Sequence, residues 1–315
     1  VSTGTLPAPQ DIHALLQTAH DRYRDEAGGT VSQVYPALAQ VDPDQFGICL
    51  AGSGGQTFQI GDADIPFTIM SVSKPFVFAL VCQEMGADFV RNRIGSNATG
   101  APFNSIAAIE RDSAGRTNPM VNSGAIATSG LVPGRTPDER RAWLLDGLSR
   151  FAGRPLAVND AVYQSAITSN HRNRAIADLL VSLGQIDGSA DDVLDLYTWQ
   201  CAIEVTARDL AVMGATLALA GINPLTGVQV VDRTVCHHTL AVMLTAGLYE
   251  TSGDWLCEVG LPGKSGIGGG IVTVSPGKGG LGTFAPRLDP AGNSVKGQLV
   301  AQYLARELGL DLLAS

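Results

Sequence analysis

Apolar residues recur three or four positions apart in several stretches of the chain, which is the spacing of a helix with one buried face. The first stretch covers residues 9–27 and predicts an amphipathic helix. The last stretch follows a turn at residues 289–293 that contains Pro and Gly, and it predicts a final helix over residues 295–308. Both ends of the chain are therefore expected to carry a helix.

Short runs with strand character also lie near both ends. Residues 45–50 and 56–60 are separated by the Gly-rich segment 52–55, a pattern that predicts a β-hairpin. Three further strands are predicted after Trp255, over residues 256–259, 271–274 and 281–284. A Gly-rich turn joins the last two of these strands.

The middle of the chain, over about residues 71–247, has helical spacing and no convincing alternating strand. Thr136 and Glu139 have the spacing of a capping box with Pro at the first helical position, and Thr206 with Asp209 repeats this pattern. Glycines stand where three of the helices are expected to end: Gly86, Gly184 and Gly221.

Strands at both ends around a helical middle predict an α+β fold of two lobes. We expect an antiparallel sheet built from both termini, with helices packed on it and an all-helical lobe inserted. The chain is expected to form a single domain over residues 1–315, with no internal repeat or linker. The sheet lobe is predicted over approximately residues 1–70 with 254–315, and the helical lobe over approximately 71–253. A cleft between the lobes is the expected site.

Composition and charge narrow the function classes. The chain has 315 residues and a mass of 32.8 kDa, so it can bury a full core without disulfides or metal. Its residues are 45% apolar and 16% charged, which excludes extensive disorder. The net charge of −9 repels nucleic acid and anionic lipid, so neither is expected as a partner.

The cysteines and the apolar runs indicate the compartment. The five cysteines show no CxxC spacing and favour buried thiols in a reducing compartment: Cys49, Cys82, Cys201, Cys236 and Cys257. No apolar run reaches the ~18–20 residues that a membrane span requires. The first residues show no basic segment followed by an apolar one, so no signal peptide is visible and a cytoplasmic location is expected.

Ser71 and Lys74 form an SxxK sequence directly before the apolar helix predicted over residues 75–85. Residues three apart share one face of a helix, so the hydroxyl and the amine can be hydrogen-bond neighbours. A serine becomes nucleophilic when a base takes its proton, and lysine acts as that base only when burial or a nearby cation keeps it neutral. The spacing alone is equally compatible with a cap serine beside a surface lysine.

A second candidate motif is Lys264-Ser265-Gly266, which precedes the strand predicted over residues 271–274. An SxxK followed much later by Lys-Ser/Thr-Gly on a strand is the motif set of penicillin-recognising serine enzymes. A phosphate-binding loop is disfavoured, because the Walker pattern requires Gly where this chain has Glu258.

Other candidate sites are weaker. His237 and His238 are adjacent and lack a third ligand at helical spacing, so we interpret them as structural rather than metal-binding. Cys201 lies in an apolar helical setting and is expected to be a buried thiol rather than a nucleophile. Arg140 and Arg141 are expected on a solvated helix face.

Taken together, a series of ordered motifs resembles the serine-dependent glutaminase family over roughly residues 10–310. The motifs are Ser71-Val72-Ser73-Lys74-Pro75-Phe76, Asn118-Pro119-Met120-Val121-Asn122-Ser123-Gly124-Ala125-Ile126, Arg172-Asn173, Asp209-Leu210-Ala211, Gly221-Ile222-Asn223-Pro224, Tyr249-Glu250-Thr251-Ser252-Gly253 and Pro262-Gly263-Lys264-Ser265-Gly266-Ile267-Gly268-Gly269-Gly270. The resemblance implies a β-lactamase-like fold and hydrolysis of L-glutamine to L-glutamate and ammonia. It also implies no metal or organic cofactor, and a homodimer or homotetramer.

The resemblance assigns roles to individual residues. Ser71 corresponds to the nucleophile, Lys74 to its base, and Tyr249 to the hydroxyl that relays a proton to the leaving nitrogen. The backbone N–H groups of Ser71 and Ile267 correspond to the oxyanion hole, where the family more often has Val in place of Ile. The residues implied to hold the amino-acid head of the substrate are Asn122, Asn173 and Tyr197.

One position departs from the family pattern. Seven residues before Asn173 the family carries a glutamate that meets the substrate head, and this chain has Ala166. Loss of that carboxylate is expected to weaken binding of the substrate ammonium. Three explanations stay open at this point: an engineered change, another acid such as Asp160 in its place, or a substrate that lacks the amine.

Two alternative functions also stay open. A β-lactamase or penicillin-binding hydrolase is supported by both lysine motifs, and it is opposed by the lack of a Ser-Asp-Asn motif and of a visible signal peptide. A non-catalytic binding protein on the same fold is supported only by Ala166. It is opposed by the joint presence of five polar residues: Ser71, Lys74, Asn173, Tyr197 and Tyr249.

Overall fold

The computed structural model describes residues 6–313. Their helices are α1 (Pro9–Tyr23), α2 (Ser73–Met85), α3 (Ala87–Ile94), α4 (Ile106–Ile109), α5 (Asn122–Gly130), α6 (Pro137–Ala152), α7 (Asp160–Ser169), α8 (His171–Ser182), α9 (Ala190–Cys201), α10 (Ala207–Ala218), α11 (Arg233–Ala246), α12 (Ser252–Glu258) and α13 (Val295–Glu307). The strands are β1 (Thr30–Val31), β2 (Gly47–Gly52), β3 (Thr57–Gly61), β4 (Phe67–Thr68), β5 (Ala157–Val158), β6 (Ile203–Val205), β7 (Gly263–Ser265), β8 (Gly270–Ser275), β9 (Gly279–Phe284) and β10 (Arg287–Leu288).

A five-stranded antiparallel sheet joins the two ends of the chain. Its strand order is β3-β2-β9-β8-β7, and each neighbouring pair is antiparallel. β2 and β9 pair from Gly47 opposite Phe284 to Gly52 opposite Gly279. The prediction of a sheet built from both termini is therefore confirmed, as are the hairpin and the last two predicted strands.

Both faces of the sheet are buried, because side chains along a strand alternate between its faces. On β2, Ile48 and Leu50 belong to a core that also contains residues of α1 and α13. The intervening Cys49 and Ala51 belong to the larger core, which includes Leu210 of α10 and most of the other helices. The sheet is thus a central layer between two sets of helices.

Glycines in β9 bring α10 unusually close to the sheet. A Cβ atom at Gly282 would lie 2.0 Å from the carbonyl oxygen of Ala207, and one at Gly280 would lie 2.3 Å from that of Ala211. Real Cβ atoms do not approach oxygen this closely, so any larger residue would push the helix away. This contact connects the middle of the chain directly to the sheet formed by its ends.

Two sequence predictions of secondary structure are wrong. The strand predicted over residues 256–259 is the end of α12, in which Trp255 is buried while most of its neighbours face solvent, as on a helix with one buried face. The helical middle also contains the strands β5 and β6, which form a small sheet with β4 in the order β4-β6-β5. β5 and β6 have two and three residues, too few to show alternation in the sequence.

The helix starts and stops are largely as predicted. Capping boxes are present at Thr136 and at Thr206, where the side chains of Glu139 and Asp209 close them. Gly86 ends α2 with a φ of 91°. The first helix ends at Tyr23, earlier than the predicted residue 27, and α13 ends one residue before its predicted end. No described helix is long and apolar enough to cross a bilayer.

Candidate active site

Ser71 lies where the backbone turns from the small sheet into α2. β4 ends at Thr68, a 3₁₀ turn covers Met70–Val72, and α2 begins at Ser73. Met70 has a φ of 46°, a left-handed conformation that residues other than glycine rarely adopt. Strained residues of this kind cluster at functional sites. Ser71 is 8% exposed, so the turn gives its hydroxyl a narrow path to solvent.

Lys74, one helical turn further on, is fully enclosed. Its Nζ donates hydrogen bonds to Asn122 Oδ1 at 2.7 Å and to the carbonyl oxygen of Met120 at 3.3 Å. Burial lowers the pKa of Lys74 to about 7, and the nearby Cys201 thiol opposes this shift weakly. A neutral amine supplies two N–H groups for these two oxygens and keeps a lone pair for a third group, which is the state a general base requires.

Two carboxamides and a phenol form a network on Lys74. Asn122 Oδ1 also accepts a hydrogen bond from the Tyr197 hydroxyl at 3.3 Å. Asn122 Nδ2 donates to Asn173 Oδ1 at 2.8 Å, so the orientation of the Asn122 amide is fixed from both ends. The first residue of α5, the start of α8 and the end of α9 therefore meet around one lysine.

Tyr249 is held against Ser71 from the opposite part of the sequence. It has a φ of 56°, and its hydroxyl donates to the carbonyl oxygen of Ser265 at 3.2 Å. Burial raises the pKa of the Tyr249 phenol well above its usual value, and a hydrogen bond with the Ser71 side chain opposes part of this shift. The phenol therefore stays protonated at neutral pH.

Lys264 lies on β7, the edge strand of the large sheet, and not on a phosphate-binding loop. Its Nζ donates to the carbonyl oxygens of Gly247 at 3.0 Å and Ser265 at 2.5 Å, and lies 4.3 Å from the centre of the Tyr249 ring. Burial, with the nearby Lys74 adding to it, holds the pKa of Lys264 well below its usual value. Two buried lysines thus share the site, and within residues 6–313 the hydrogen-bond acceptors of both amines are uncharged oxygens.

A cleft opens next to Ser71. Its wall includes five of the predicted site residues: Ser71, Asn122, Asn173, Tyr197 and Ile267. Lys74 and Tyr249 are not part of the wall, and they contact it through Asn122 and Ser71 respectively. The fold therefore brings all seven predicted residues to one place.

Comparisons with known proteins identify the family. The sequence profile described as glutaminase matches residues 29–313. A protein of Yersinia pestis named glutaminase 2 is 62% identical over 315 residues, which are 100% of this chain and 93% of that protein. A glutaminase of Brucella canis is 46% identical over 301 residues, covering 96% of this chain and 95% of that protein.

The chain belongs to the glutaminase family.

Solved structures of glutaminases have the same fold. A probable glutaminase, ybaS, superimposes with a TM-score of 0.96 at 38% identity and covers 98% of this chain and 100% of that one. A probable glutaminase from Bacillus subtilis, in complex with 6-diazo-5-oxo-L-norleucine, gives a TM-score of 0.87 at 29% identity and covers 96% of each chain. The predicted β-lactamase-like fold is confirmed.

The glutaminase cleft also contains residues that the sequence analysis missed. Tyr35 and Phe103 line the wall, and the Phe103 ring lies 4.7 Å from the Tyr249 ring. Both residues come from segments outside the helices and strands, where no periodicity marks a residue as facing a site. Arg172 lines the same wall and was recognised only as part of a motif.

Ala166 is part of the cleft wall, as its position in the family pattern implies. It packs with Tyr35, Met70 and Val162 in a small apolar cluster. Asp160, suggested as a substitute acid, is exposed at the start of α7 and does not line the wall. The structure therefore offers no support for Asp160 as the replacement.

The remaining candidates do not form sites. Cys201 is half-buried in the wall, and burial raises the pKa of its thiol to about 11, so it stays protonated at neutral pH. Cys257 is exposed, contrary to the expectation of buried thiols throughout. Within residues 6–313, no group of three or more His, Cys, Asp or Glu side chains is placed to hold a metal ion, His237 and His238 included.

The prediction for the two arginines is wrong. Arg141 is half-buried and donates to Asp195 at 2.6 Å and to the Tyr163 hydroxyl at 2.9 Å. Arg140 donates to the backbone carbonyls of Gly130 at the end of α5 and of Val132 in the loop that follows. Both side chains connect structural elements rather than facing solvent.

Proposed function

We propose that this chain hydrolyses the side-chain amide of L-glutamine to L-glutamate and ammonia through a covalent ester on Ser71. The observation that carries the proposal is a serine next to a cleft, one helical turn from a lysine whose pKa is lowered to about 7 by burial. Membership of the glutaminase family supports the choice of substrate.

In the first step Ser71 Oγ attacks the amide carbon while neutral Lys74 takes the hydroxyl proton. The two hydrogen bonds that Lys74 donates are accepted by uncharged oxygens, so no carboxylate stabilises the ammonium before reaction. The oxyanion of the tetrahedral intermediate is held by the backbone N–H groups of Ser71 and Ile267.

Tyr249 then supplies the proton for the departing nitrogen. Burial raises the pKa of Tyr249 and keeps the phenol neutral, and its interaction with the Ser71 side chain places it where it can donate to the departing nitrogen. As the C–N bond breaks, ammonia leaves and the ester on Ser71 remains. The proton that Lys74 took from Ser71 passes to Tyr249, which restores the phenol and the neutral amine. Lys74 then takes a proton from a water molecule, and this water hydrolyses the ester and restores the Ser71 hydroxyl.

The wall of the cleft binds the rest of the substrate. Asn173 and Tyr197 line it with a carboxamide and a hydroxyl that can hydrogen-bond the substrate head. Asn122 has a second task, because its oxygen accepts from Lys74 and its nitrogen donates to Asn173. It therefore couples substrate binding to the position of the base.

Ser71→Ala and Lys74→Ala are each expected to lower kcat for L-glutamine by about 10³-fold or more, because each removes a group that makes or breaks a bond. Ammonia release measures this directly. Ser182→Ala, an exposed serine at the end of α8, is the control and is expected to retain full activity. Near-native turnover in either of the first two variants contradicts the proposal.

A β-lactam hydrolase is the second candidate, because Lys264-Ser265 lies on the edge strand β7. A chromogenic β-lactam added to the native protein distinguishes the two functions. We expect no Ser71-dependent colour change at concentrations where L-glutamine is turned over. A fast Ser71-dependent colour change would instead identify a β-lactam as the substrate.

Assembly and location remain predictions of this proposal. We expect a homodimer or homotetramer in the cytoplasm that acts without a metal or organic cofactor. Light scattering of the purified protein measures the assembly, and activity after dialysis against a chelator measures the metal requirement.

A further inference from the structure

The charges around the cleft are unusual for a site that binds an amino acid. Among the residues that the structure describes, none that lines the wall is Asp or Glu. Arg172 is the cation on the wall, and its Nε donates to the carbonyl oxygen of Asn104 at 3.0 Å. Lys74 adds a second nitrogen that is partly protonated at neutral pH. The local field therefore favours a ligand with negative charge and no positive charge.

Four acids from the elements around the site do not face the cleft. Asp195 accepts from Arg141 and from the Tyr163 hydroxyl. Glu204 accepts from Asn159, and Asp289 accepts from backbone N–H groups and Gln298. Glu250 is exposed beside Tyr249. Each of these carboxylates either has its own partners or faces water, and none of them lines the cleft.

The side of the cleft around Ala166 is apolar. Ala166 packs with Tyr35, Leu38, Met70 and Val162, and each of these five residues is at least nine-tenths buried. An ammonium group placed against this cluster would lose hydration without gaining a counter-charge. A methylene group placed there would instead remove apolar surface from water.

From this arrangement we propose that the site takes monoamides of dicarboxylic acids that lack the α-ammonium group, of which glutaramate is the simplest, at least as efficiently as it takes L-glutamine. The inference rests on the proposed function and deepens it by naming the substrate class. Glutaramate carries the same terminal amide and one carboxylate. It has a methylene group in place of the α-carbon that bears the ammonium group in glutamine.

The reaction balances without any further reactant. Ser71 Oγ gives its proton to Lys74 and forms an ester with the amide carbon, the C–N bond breaks, and ammonia leaves with a proton from Tyr249, which Lys74 then replaces. Water then cleaves the ester and gives glutarate. The carboxylate of the substrate lies within a field set by Arg172 and by the neutral donors of Asn173 and Tyr197.

The first experiment compares kcat/KM of the native protein for glutaramate and L-glutamine by ammonia release at pH 7.5. We expect a ratio of one or more in favour of glutaramate. Ser71→Ala measures the background and is expected to abolish both activities. A native protein that prefers L-glutamine by tenfold or more overturns the inference and leaves the proposed function intact.

Two matched variants then test charge separately from size. Ala166→Glu places a carboxylate in the wall and is expected to raise the relative kcat/KM for L-glutamine by about tenfold, the effect of one desolvated charge pair worth ~1.4 kcal/mol. Ala166→Gln adds nearly the same volume without charge and is expected to leave the preference for glutaramate. Equal effects of both variants overturn the inference.

A binding measurement does not depend on turnover. Calorimetry with Ser71→Ala is expected to give glutarate an affinity equal to or higher than that of L-glutamate, with the order reversed in the Ser71→Ala, Ala166→Glu double variant. Thermal unfolding of each variant shows whether it is folded. If neither amide is hydrolysed by the native protein, the proposed function fails and this inference fails with it.

Discussion

The chemistry of single residues in this protein is set by burial. Lys74 is 1% exposed and Lys264 is fully enclosed, and both donate only to uncharged oxygens. Without a carboxylate to stabilise the ammonium, removal from water favours the neutral amine. The same burial keeps Tyr249 protonated. At neutral pH, Tyr249 is therefore protonated and a substantial fraction of Lys74 is in the neutral form.

The activity of the native enzyme is expected to rise with pH through a value near 7. Lys74 must be neutral to accept the Ser71 proton, and its lowered pKa of about 7 places that change in the neutral range. Because the phenol of Tyr249 has a raised pKa, it adds no falling limb near neutrality. The check is kcat/KM for the preferred amide between pH 5.5 and 9, where a pH-independent profile contradicts the role of Lys74.

Asn122→Asp is expected to move this rising limb to about pH 8 or above. The new carboxylate would lie beside Lys74 Nζ, where Asn122 Oδ1 now accepts at 2.7 Å, and an adjacent anion stabilises the ammonium. The pH profile of kcat/KM is the readout. Asn122→Ala is the control, because it removes the same oxygen without adding charge and should not move the limb upward.

At the scale of elements, the site is assembled at helix starts and strained turns. Ser71 precedes α2, Asn122 begins α5, and Met70 and Tyr249 hold left-handed backbone conformations next to them. Gly124 lets α5 approach the preceding loop, since a Cβ atom there would lie 2.0 Å from the carbonyl oxygen of Asn118. The position of Asn122 thus depends on a glycine two residues away.

Gly124→Ala is expected to reduce stability by about 2 kcal/mol and to lower activity, because the added methyl forces α5 away from the loop. Gly130→Ala in the same helix is the matched control. A Cβ atom at Gly130 would meet only side-chain atoms at 3.7 Å or more, an ordinary contact. Urea unfolding and ammonia release of the two variants provide the comparison, and equal behaviour would contradict the packing argument.

At the scale of the whole molecule, α10 couples the parts of the chain. It belongs to the central segment of the sequence, yet it packs on the sheet that the two ends form. Gly280 and Gly282 of β9 allow contact of backbone on backbone. We propose that the sheet lobe and the helical lobe form one folding unit for this reason.

Gly282→Ala is expected to lower the midpoint of unfolding for both lobes together. It is expected to reduce the free energy of unfolding by about 2 kcal/mol or more. Trp199 packs against the larger core and Trp255 lies in the core of α1 and α13, so versions that retain one tryptophan report on each core. Gly253→Ala is the control, since Gly253 is exposed with open space around its Cβ position. Separate midpoints for the two probes would contradict a single folding unit.

Elements with strong local signals were predicted well from the sequence. The terminal hairpin, the capping boxes and the last helix rest on turn residues, caps and periodicity, which act within a few neighbours. The elements that were predicted wrongly are either very short or depend on the surrounding core. β5 and β6 are too short for a pattern, and the apolar residues near Trp255 fit a strand as well as a helix until the surrounding core decides.

The site residues likewise fall into those that the sequence predicted and those that it did not. Ser71, Lys74, Asn122, Asn173 and Tyr249 were predicted through ordered motifs, and the fold brings them together. Tyr35 and Phe103 were missed, because they reach the cleft from loops whose sequence carries no such signal.

The sequence by itself determined the first and last helices, the terminal hairpin, the capped helix starts, the two lysine motifs and the alanine at position 166. Only the tertiary structure decided that both lysines are buried among uncharged oxygens, and that no described residue of the cleft wall is Asp or Glu. The physical reason is the distance along the chain over which each interaction acts. Periodicity and capping act between neighbours in the chain, whereas desolvation and the local field depend on every group that packs around a side chain, however distant it is in sequence.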